Sequence, residues 1–463
     1  MPLDSSAARR PRGFGAALAG LGLVFCGALL AALVLTPIGA LAIAAARGWR
    51  GGELDVLWAD RTAIAAVAIF AGTYLVIATG AAPGLRLDRA GAALLGASLM
   101  VGVGVLPLED AYRAVDFDTI TLLLGMMIVV ANLRLSGFFR LAGNVVVSRA
   151  RRPLSLLAAI VLICGAFSAF LVNDAICLVM TPLVLDLVRR LKRDPVPYLL
   201  AIPLAANIGS VATITGNPQN MIIGGLSHIP YGAFAAALWP VAAAGLVATI
   251  ACLAALYPRE FLTRAPLPHI LPAPARARPL LVAKSVIVTL AMMLLFFAGQ
   301  PVAKVAIVGG SLLLLTRHVK ADKIYREIDW PLLLMFVGLF IVVTGLERTV
   351  LTPERVAALG RLHLDSSPIL AAVAAALSNL VSNVPAVLVL QPFVAGLADP
   401  QRAWLVVAMA TTLAGNFTLV GSVANLIVVE RARAAGVAIG FWAYFRIGAP
   451  LAVLTIAIGA ARL

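Results

Sequence analysis

The sequence has 463 residues, of which 62% are hydrophobic and only 12% are charged, and its mean hydropathy is +1.01. Soluble globular proteins carry about 25% charged residues, so this chain has too few charges to cover a water-facing surface. The net charge is +15, but the basic residues lie between apolar runs, where they act as orientation signals. No basic stripe with interleaved aromatic residues is present, which argues against nucleic acid as a partner. The composition predicts a polytopic membrane protein surrounded by lipid.

The chain opens with Arg9, Arg10 and Arg12, followed by an apolar run at 14–46. This run is much longer than the apolar core of a cleavable signal peptide, which has about 7–15 residues. We therefore predict an uncleaved extra helix within residues 1–60.

Eleven segments are predicted to cross a bilayer, which takes about 20 residues of α-helix each. They lie at 14–46, 62–82, 89–107, 116–135, 197–226, 231–257, 280–299, 302–317, 328–347, 402–429 and 437–460. Two further apolar stretches, 153–187 and 367–396, are interrupted halfway by Asn, Asp, Ser or Pro. Each is too long for one crossing and too short for two. We predict two re-entrant helical hairpins in an all-α membrane protein, since such tips are tolerated only inside protein or beside a wet cavity.

The loops predict the orientation. Arg and Lys concentrate in the connections at 134–152, 189–193, 258–279 and 317–326, which fall on one side of this scheme, whereas the acidic segment 109–118 falls on the other. By the positive-inside rule, the N-terminus is cytoplasmic and the C-terminus lies outside a bacterial-type inner membrane. The first hairpin then enters from the cytoplasm and the second from outside.

Two halves of the chain resemble each other. TLLLGMMIVVANL at 121–133 matches LLMFVGLFIVVTGL at 333–346. Each hairpin has a serine followed by an asparagine at the same short interval, Ser168 with Asn173 and Ser378 with Asn383. Each half contains an odd number of crossings, so the copies must be inverted, as in many secondary transporters. The predicted parts are an extra helix at 1–60, a first repeat at 61–257, a cytoplasmic linker at 258–279 and a second repeat at 280–463.

Four polar interruptions within apolar sequence are the candidate site. They are LVNDA (171–175), ITGNPQN (214–220), SNLVSNVP (378–385) and GNFTLVGSVAN (415–425). Helix N-termini at such breaks suit anions and free carbonyls suit cations. The alternative is that these small and polar residues join helices together. The candidate substrate- or ion-binding residues are Ser168, Asn173, Asp174, Asn207, Thr215, Gly216, Asn217, Gln219, Asn220, Ser378, Ser382, Asn383, Asn416, Gly421, Ser422 and Asn425.

Asp174 is the one acid predicted to lie deep in a broken segment. An intramembrane carboxylate is a functional candidate by default, and burial favours its neutral form, which suits a proton carrier. The alternative is a helix cap, in which Asn173 or Asp174 caps a helix at 175–188. Val384 stands at the corresponding position of the second half, so the acid breaks the symmetry.

NDAICLVMTPL followed by NIGSVATITGNPQN, with SNVPAVLVL in the second half, resembles the ion transporter superfamily over about residues 60–460. The sequence is most similar to the arsenite permease branch, which includes plant silicon efflux carriers and bacterial anion permeases. The resemblance implies a homodimer with a scaffold domain and a mobile transport domain that holds both hairpins. It also implies elevator-type alternating access.

By position, the same resemblance places Ser168, Asn173, Ser378 and Asn383 among residues that line the sodium sites of the related dicarboxylate carriers. Those carriers have Ser-Asn-Thr at both tips, whereas the tips here read Val-Asn-Asp and Ser-Asn-Val. This departure favours proton coupling, or a neutral or singly charged substrate, over sodium-coupled dicarboxylate transport.

The sequence therefore predicts a secondary transporter without a cofactor, not an enzyme. Its predicted substrate is a small inorganic anion or oxyacid, such as arsenite or silicic acid, moved by proton-coupled efflux. Sodium/proton antiport and sodium-coupled carboxylate uptake remain as alternatives. A channel and an intramembrane enzyme are more remote, and neither an HExxH nor a GxSxG motif is present.

Overall fold

The structure is a computed structural model of the chain, and it describes residues 53–79, 87–149, 151–263, 266–268, 277–316, 319–350 and 363–463. Regular structure in these ranges is entirely helical, which confirms the all-α prediction. The predicted first helix at 14–46 lies outside the described residues.

Twenty α-helices are found in the described ranges. They are α1 (Glu53–Thr79), α2 (Arg89–Gly102), α3 (Leu108–Ala114), α4 (Phe117–Ser136), α5 (Phe138–Arg149), α6 (Pro153–Phe170), α7 (Asn173–Arg190), α8 (Pro195–Ser210), α9 (Pro218–Ser227), α10 (Tyr231–Leu256), α11 (Pro258–Phe261), α12 (Pro279–Phe297), α13 (Val302–Leu314), α14 (Ala321–Tyr325), α15 (Trp330–Thr349), α16 (Ser367–Val381), α17 (Asn383–Val394), α18 (Pro400–Ala414), α19 (Val423–Ala434) and α20 (Phe441–Arg462). Seven of them, α1, α4, α6, α10, α12, α15 and α20, are long and apolar enough to cross a membrane by length and composition.

Both predicted hairpins are present as pairs of helices with very short tips. In the first, α6 ends at Phe170 and α7 begins at Asn173. In the second, a single residue, Ser382, separates α16 from α17. The first arm of each hairpin packs on the helix that follows the hairpin, α6 on α8 and α16 on α18. This packing buries Leu171 to Asn173 at the first tip, as an interrupted apolar segment requires, whereas Ser382 at the second tip is half-buried.

The segments predicted at 197–226 and 402–429 are each two helices separated by a break. The first break covers 211–217, with a 3-10 turn at Ile214–Gly216, and the second covers 415–422. The predicted interruptions at 214–220 and 415–425 both extend into the following helix, so their C-terminal boundaries are wrong. Pro218 opens α9 because its missing N–H is not needed in the first turn of a helix, so the end of GNPQN is helical.

Two glycines lie where long helices pack closely together, and they sit at matching sequence positions. A Cβ added to Gly125 in α4 would lie 2.5 Å from the backbone carbonyl carbon of Ala306 in α13. A Cβ added to Gly338 in α15 would lie 2.5 Å from that of Ala93 in α2. The interval along the chain from Gly125 to Gly338 equals the interval from Ala93 to Ala306. This agreement supports the repeat that was seen in the sequence.

The chain divides into two compact units that cut across the predicted repeats. The described parts of 1–115 and 334–357 form one unit, which contains α1 to α3 and most of α15. The described parts of 116–333 and 358–463 form the other, which contains both hairpins and both broken helices.

Candidate functional site

A buried polar cluster surrounds Asn207, in the last turn of α8. Its side-chain Nδ2 donates hydrogen bonds to Oδ1 of Asn416 at 2.9 Å and Oδ1 of Asn425 at 3.1 Å. Its Oδ1 accepts hydrogen bonds from Nδ2 of Asn173 at 3.0 Å and Oγ of Ser422 at 3.3 Å. All four hydrogen-bonding positions of this amide are therefore used, and Asn207 joins the first hairpin to the second broken helix. We call these five residues the Asn207 cluster.

Thr412, in α18, is the counterpart of Asn207 in the second half, because the interval between them equals that between Gly216 and Gly421. Its hydroxyl oxygen accepts hydrogen bonds from Nδ2 of Asn217 at 3.2 Å and Nε2 of Gln219 at 3.1 Å. The three hydrogen-bonded side chains are buried. Sequence reasoning missed Thr412, because a threonine within an apolar helix carries no local signal. Counting the interval between Gly216 and Gly421 onward from Asn207 leads to Thr412, so the repeat in the sequence could have identified it.

An asparagine holds each break in the same way. Nδ2 of Asn220 donates to the backbone carbonyls of Ser210 at 3.1 Å and Thr213 at 3.0 Å. Nδ2 of Asn425, its counterpart in the second half, donates to the corresponding carbonyls of Gly415 at 2.7 Å and Thr418 at 3.0 Å. Ser210 ends α8 and Gly415 follows α18, so their carbonyls lack an intrahelical partner. Thr213 and Thr418 lie within the breaks, so each amide joins the helix end to the break and fixes its shape.

The second half of each broken helix starts with a side-chain cap. Oδ1 of Asn217 accepts from the backbone N–H of Asn220 at 2.8 Å, and Oγ of Ser422 accepts from that of Ala424 at 3.2 Å. Both capping residues also donate across to the opposite half, to Thr412 and Asn207 respectively. Each cap therefore couples the local break to the other repeat.

The predicted glycines Gly216 and Gly421 have backbone roles. A Cβ on Gly216 would lie 2.2 Å from the carbonyl oxygen of Ser210, and one on Gly421 would lie 3.0 Å from that of Gly415. Both glycines allow the chain to fold back on the end of the preceding helix.

The serines of the two hairpins bind equivalent backbone groups. Oγ of Ser168 donates to the carbonyl of Ala206 at 2.6 Å, and Oγ of Ser378 donates to that of Thr411 at 3.0 Å. The Oγ of Ser378 also donates a hydrogen bond to Oδ1 of Asn383 at 2.7 Å. Ser168 thus joins the first hairpin to α8 next to Asn207, and Ser378 joins the second hairpin to α18 next to Thr412.

Ser382, at the tip of the second hairpin, has φ +80° and ψ 158°. This region of backbone space is almost exclusive to glycine and costs of order 1–3 kcal/mol for another residue. No such conformation occurs at the first tip, where Leu171 is extended. The second tip therefore stores backbone strain beside the site.

The buried acceptors with no hydrogen-bond partner among the described residues include Oδ1 of Asn173, at the first hairpin tip, and Oδ1 of Asn220, beside the first break. Buried polar atoms in native proteins are nearly always paired. Both oxygens can accept a hydrogen bond from a hydroxyl group or bind a cation.

Asp174 lies in the first turn of α7 and is half-buried. The N-cap of α7 is Val172, and no side chain caps this helix. The cap interpretation of Asn173 and Asp174 is therefore wrong, because Asn173 uses its amide to bind Asn207 instead. No described residue forms a hydrogen bond or ion pair with the Asp174 carboxylate.

Thr215 is not part of the Asn207 cluster. Its hydroxyl lies 2.8 Å from the Tyr231 hydroxyl of α10 and 3.3 Å from that of Thr213. Tyr231 was not predicted from the sequence, since it opens an apolar helix with no polar neighbour. The contact anchors the first break to α10.

Comparison with known proteins agrees with the resemblance seen in the sequence. The family described as citrate transporter, CitMHS, matches residues 74–414. An uncharacterized transporter of Mycobacterium tuberculosis is 29% identical over 422 residues, which cover 86% of this chain and 97% of that protein. The silicon efflux transporter of Oryza sativa subsp. japonica is 28% identical over 448 residues, which cover 81% of this chain and 92% of that protein.

A putative arsB transporter of Dictyostelium discoideum is 25% identical over 490 residues, which cover 81% of this chain and 87% of that protein. Among solved structures, the crystal structure of the Alcanivorax borkumensis YdaH transporter matches with a TM-score of 0.55 and 14% identity. The match covers 86% of this chain and 96% of that one. It shows that the two chains share a fold. The relatives are named as transporters, which confirms the prediction that the chain is not an enzyme.

Proposed function

Since this chain belongs to the citrate transporter family, and is therefore a multi-pass membrane transporter, we propose that it moves a small inorganic anion or oxyacid by proton-coupled efflux. Silicic acid and arsenite are the proposed substrates. The observation that carries this proposal is the Asn207 cluster. It joins the first hairpin and both broken helices, and the unpaired oxygens of Asn173 and Asn220 lie at the first hairpin tip and beside the first break.

The chemistry of the site supports an uncharged or weakly charged substrate. The hydrogen-bonding groups around Asn207 and Thr412 are amides and hydroxyls, which carry no net charge. A multiply charged anion placed there would need compensating cations, because burying unpaired charge is very costly. A polyhydroxylated acid can donate its O–H groups to the amide oxygens and accept from amide N–H groups.

The hydrogen bonds also support an elevator-type movement. Ser168 and Ser378 fasten the hairpins to α8 and α18, and Asn207 fastens α8 to the second break, which follows α18. Elements joined by buried bonds of this kind move together, so we infer that both hairpins and both broken helices form the mobile body of an inverted-repeat transporter. A homodimer in the inner membrane, with its N-terminus cytoplasmic and its C-terminus outside, completes the proposal.

Coupling to protons is assigned to Asp174. It is half-buried beside Asn173, which is bonded to the centre of the cluster. An acid with no partner among the described residues can load and release a proton without breaking a hydrogen bond. The alternative coupling ion is sodium, bound near Ser168, Asn173, Ser378 and Asn383. The unpaired Oδ1 of Asn173 favours this alternative, because it could bind a cation.

The test is a substrate screen with the purified protein in proteoliposomes. Efflux of silicic acid, arsenite, phosphate, sulfate and citrate is measured with a proton gradient, a sodium gradient and neither. We expect saturable transport of silicic acid or arsenite that follows the proton gradient. Sodium-driven citrate movement, with no transport of either oxyacid, would replace this proposal with the carboxylate carrier.

A further inference from the structure

A cleft of about 680 Å³ lies in the second compact unit and contains none of the residues of the Asn207 cluster. It is bounded by the end of α4, by α5, by both arms of the first hairpin and by α19. Its charged lining consists of Arg134, Arg140, Asp186, Arg190, Glu327 and Arg431. Four guanidinium groups therefore face two carboxylates.

The two carboxylates are already engaged. Glu327 forms an ion pair with Arg134, and Asp186 lies 4.0 Å from Arg190. Arg140 and Arg431 form no hydrogen bond or ion pair through their side chains with any part of the chain that the structure describes. The cleft thus presents two uncompensated guanidinium groups, one on α5 and one on α19.

Apart from Asn144, the remaining side chains that line the cleft are apolar. Leu178, Met180, Leu183 and Val184 of α7, with Ile160 of α6, form one wall. A basic rim above an apolar wall suits an anion and also accommodates a hydrocarbon chain attached to it. Orientation signals alone do not require arginines from separate helices to meet at one cleft. Arg433 is also on α19 but does not line the cleft, so it can serve as a control for substitutions of the cleft arginines.

We propose that this cleft binds a phosphate-type oxyanion, free or as the headgroup of an anionic lipid, between Arg140 and Arg431. Guanidinium groups bind such oxyanions through paired, charge-assisted hydrogen bonds. Because the two arginines belong to different helices, an occupied site ties α5 to α19 and stabilises the folded protein.

Thermal unfolding of the purified wild-type protein in detergent is measured against inorganic phosphate, with chloride at equal ionic strength as the reference. A second arm uses short-chain phosphatidylglycerol, with phosphatidylcholine of the same chain length as its reference. We expect a saturable rise in Tm in at least one arm. A response to phosphate identifies a free anion, and a response to phosphatidylglycerol alone identifies a lipid headgroup.

The double variant Arg140→Gln/Arg431→Gln should bind at least about tenfold more weakly, since two charge-assisted contacts are lost. Arg433→Gln should respond as the wild type does. If the glutamine variant does not fold, Arg140→Lys/Arg431→Lys keeps the charge but not the paired geometry, and it should also bind more weakly. No saturable rise in either arm, or the same rise in the wild type and the double variants, would overturn the proposal. Binding is measured without transport, so this result stands apart from the proposed function.

Discussion

Asn207 and Thr412 occupy equivalent positions in the two halves, and each accepts a hydrogen bond from the residue that caps the other half's broken helix. Ser422 donates to Oδ1 of Asn207 at 3.3 Å, and Nδ2 of Asn217 donates to Oγ1 of Thr412 at 3.2 Å. The two halves are therefore joined at their centre by a pair of reciprocal contacts. A change at either acceptor should affect both breaks.

Thr412→Val should reduce transport strongly, because the two amides that bind Thr412 would lose a buried acceptor. Each unsatisfied buried group costs about 1–3 kcal/mol, so the Tm of the purified variant should also fall. Thr412→Ser keeps the hydroxyl and should retain transport.

Thr411→Val is the matched control for this change. The Thr411 hydroxyl bonds to Val407 within its own helix at 2.7 Å, so its loss should have little effect on transport. Equal rates in Thr412→Val and Thr411→Val would show that Thr412 has no special role.

Gly125→Ala and Gly338→Ala should each destabilise the protein, by about 1–3 kcal/mol, since overpacked cores cost this much. In both variants the new Cβ would lie 2.5 Å from a backbone carbon of the facing helix. Gly102→Ala is the control, because a Cβ there meets nothing within 4 Å. Thermal unfolding measures all three, and a neutral Gly338→Ala beside a destabilised Gly125→Ala would argue against equivalent packing in the two repeats.

Asp174→Asn should abolish transport driven by a proton gradient while keeping substrate exchange at equal pH. The amide keeps the shape of the side chain but cannot titrate. Since no side chain caps α7, Asp174→Ala should behave in the same way and lose no cap.

Initial rates in proteoliposomes, measured across a pH gradient and without one, decide the role of Asp174. An Asn variant that still moves substrate uphill under a proton gradient alone would show that coupling lies elsewhere.

Single cysteines at Arg151, Arg190, Asp110 and Asp399 should report the orientation of the chain, tested with a membrane-impermeant maleimide on intact cells and on inverted vesicles. Positions 151 and 190 should be labelled from the cytoplasm and positions 110 and 399 from outside. Labelling of position 399 from the cytoplasm alone would contradict the inverted second hairpin.

Much of the fold could be predicted from apolar length and local interruptions. The hairpin arms begin at Pro153 and near Ser367, as the apolar stretches indicate, and the asparagines at 173 and 383 mark where the chain turns back. Such signals are local, because proline and asparagine change the backbone where they stand.

The contacts that make the site could not be predicted in the same way. Thr412 and Tyr231 acquire partners from distant segments, and Asn173 binds Asn207 instead of capping its own helix. Each of these depends on how separate segments of the chain meet. For Thr412, only the match between the two halves carries that information in the sequence.

The central claim is that the Asn207 cluster is the transport site, and Asn207→Ala tests it most directly. The change removes a side chain with four hydrogen bonds to both halves. Asn132→Ala is the control, because buried Asn132 bonds to Ile128 within its own helix. Substrate counterflow is measured in proteoliposomes that contain equal amounts of folded protein. The account predicts no counterflow for Asn207→Ala and near wild-type counterflow for Asn132→Ala, whereas wild-type counterflow with Asn207→Ala would contradict it.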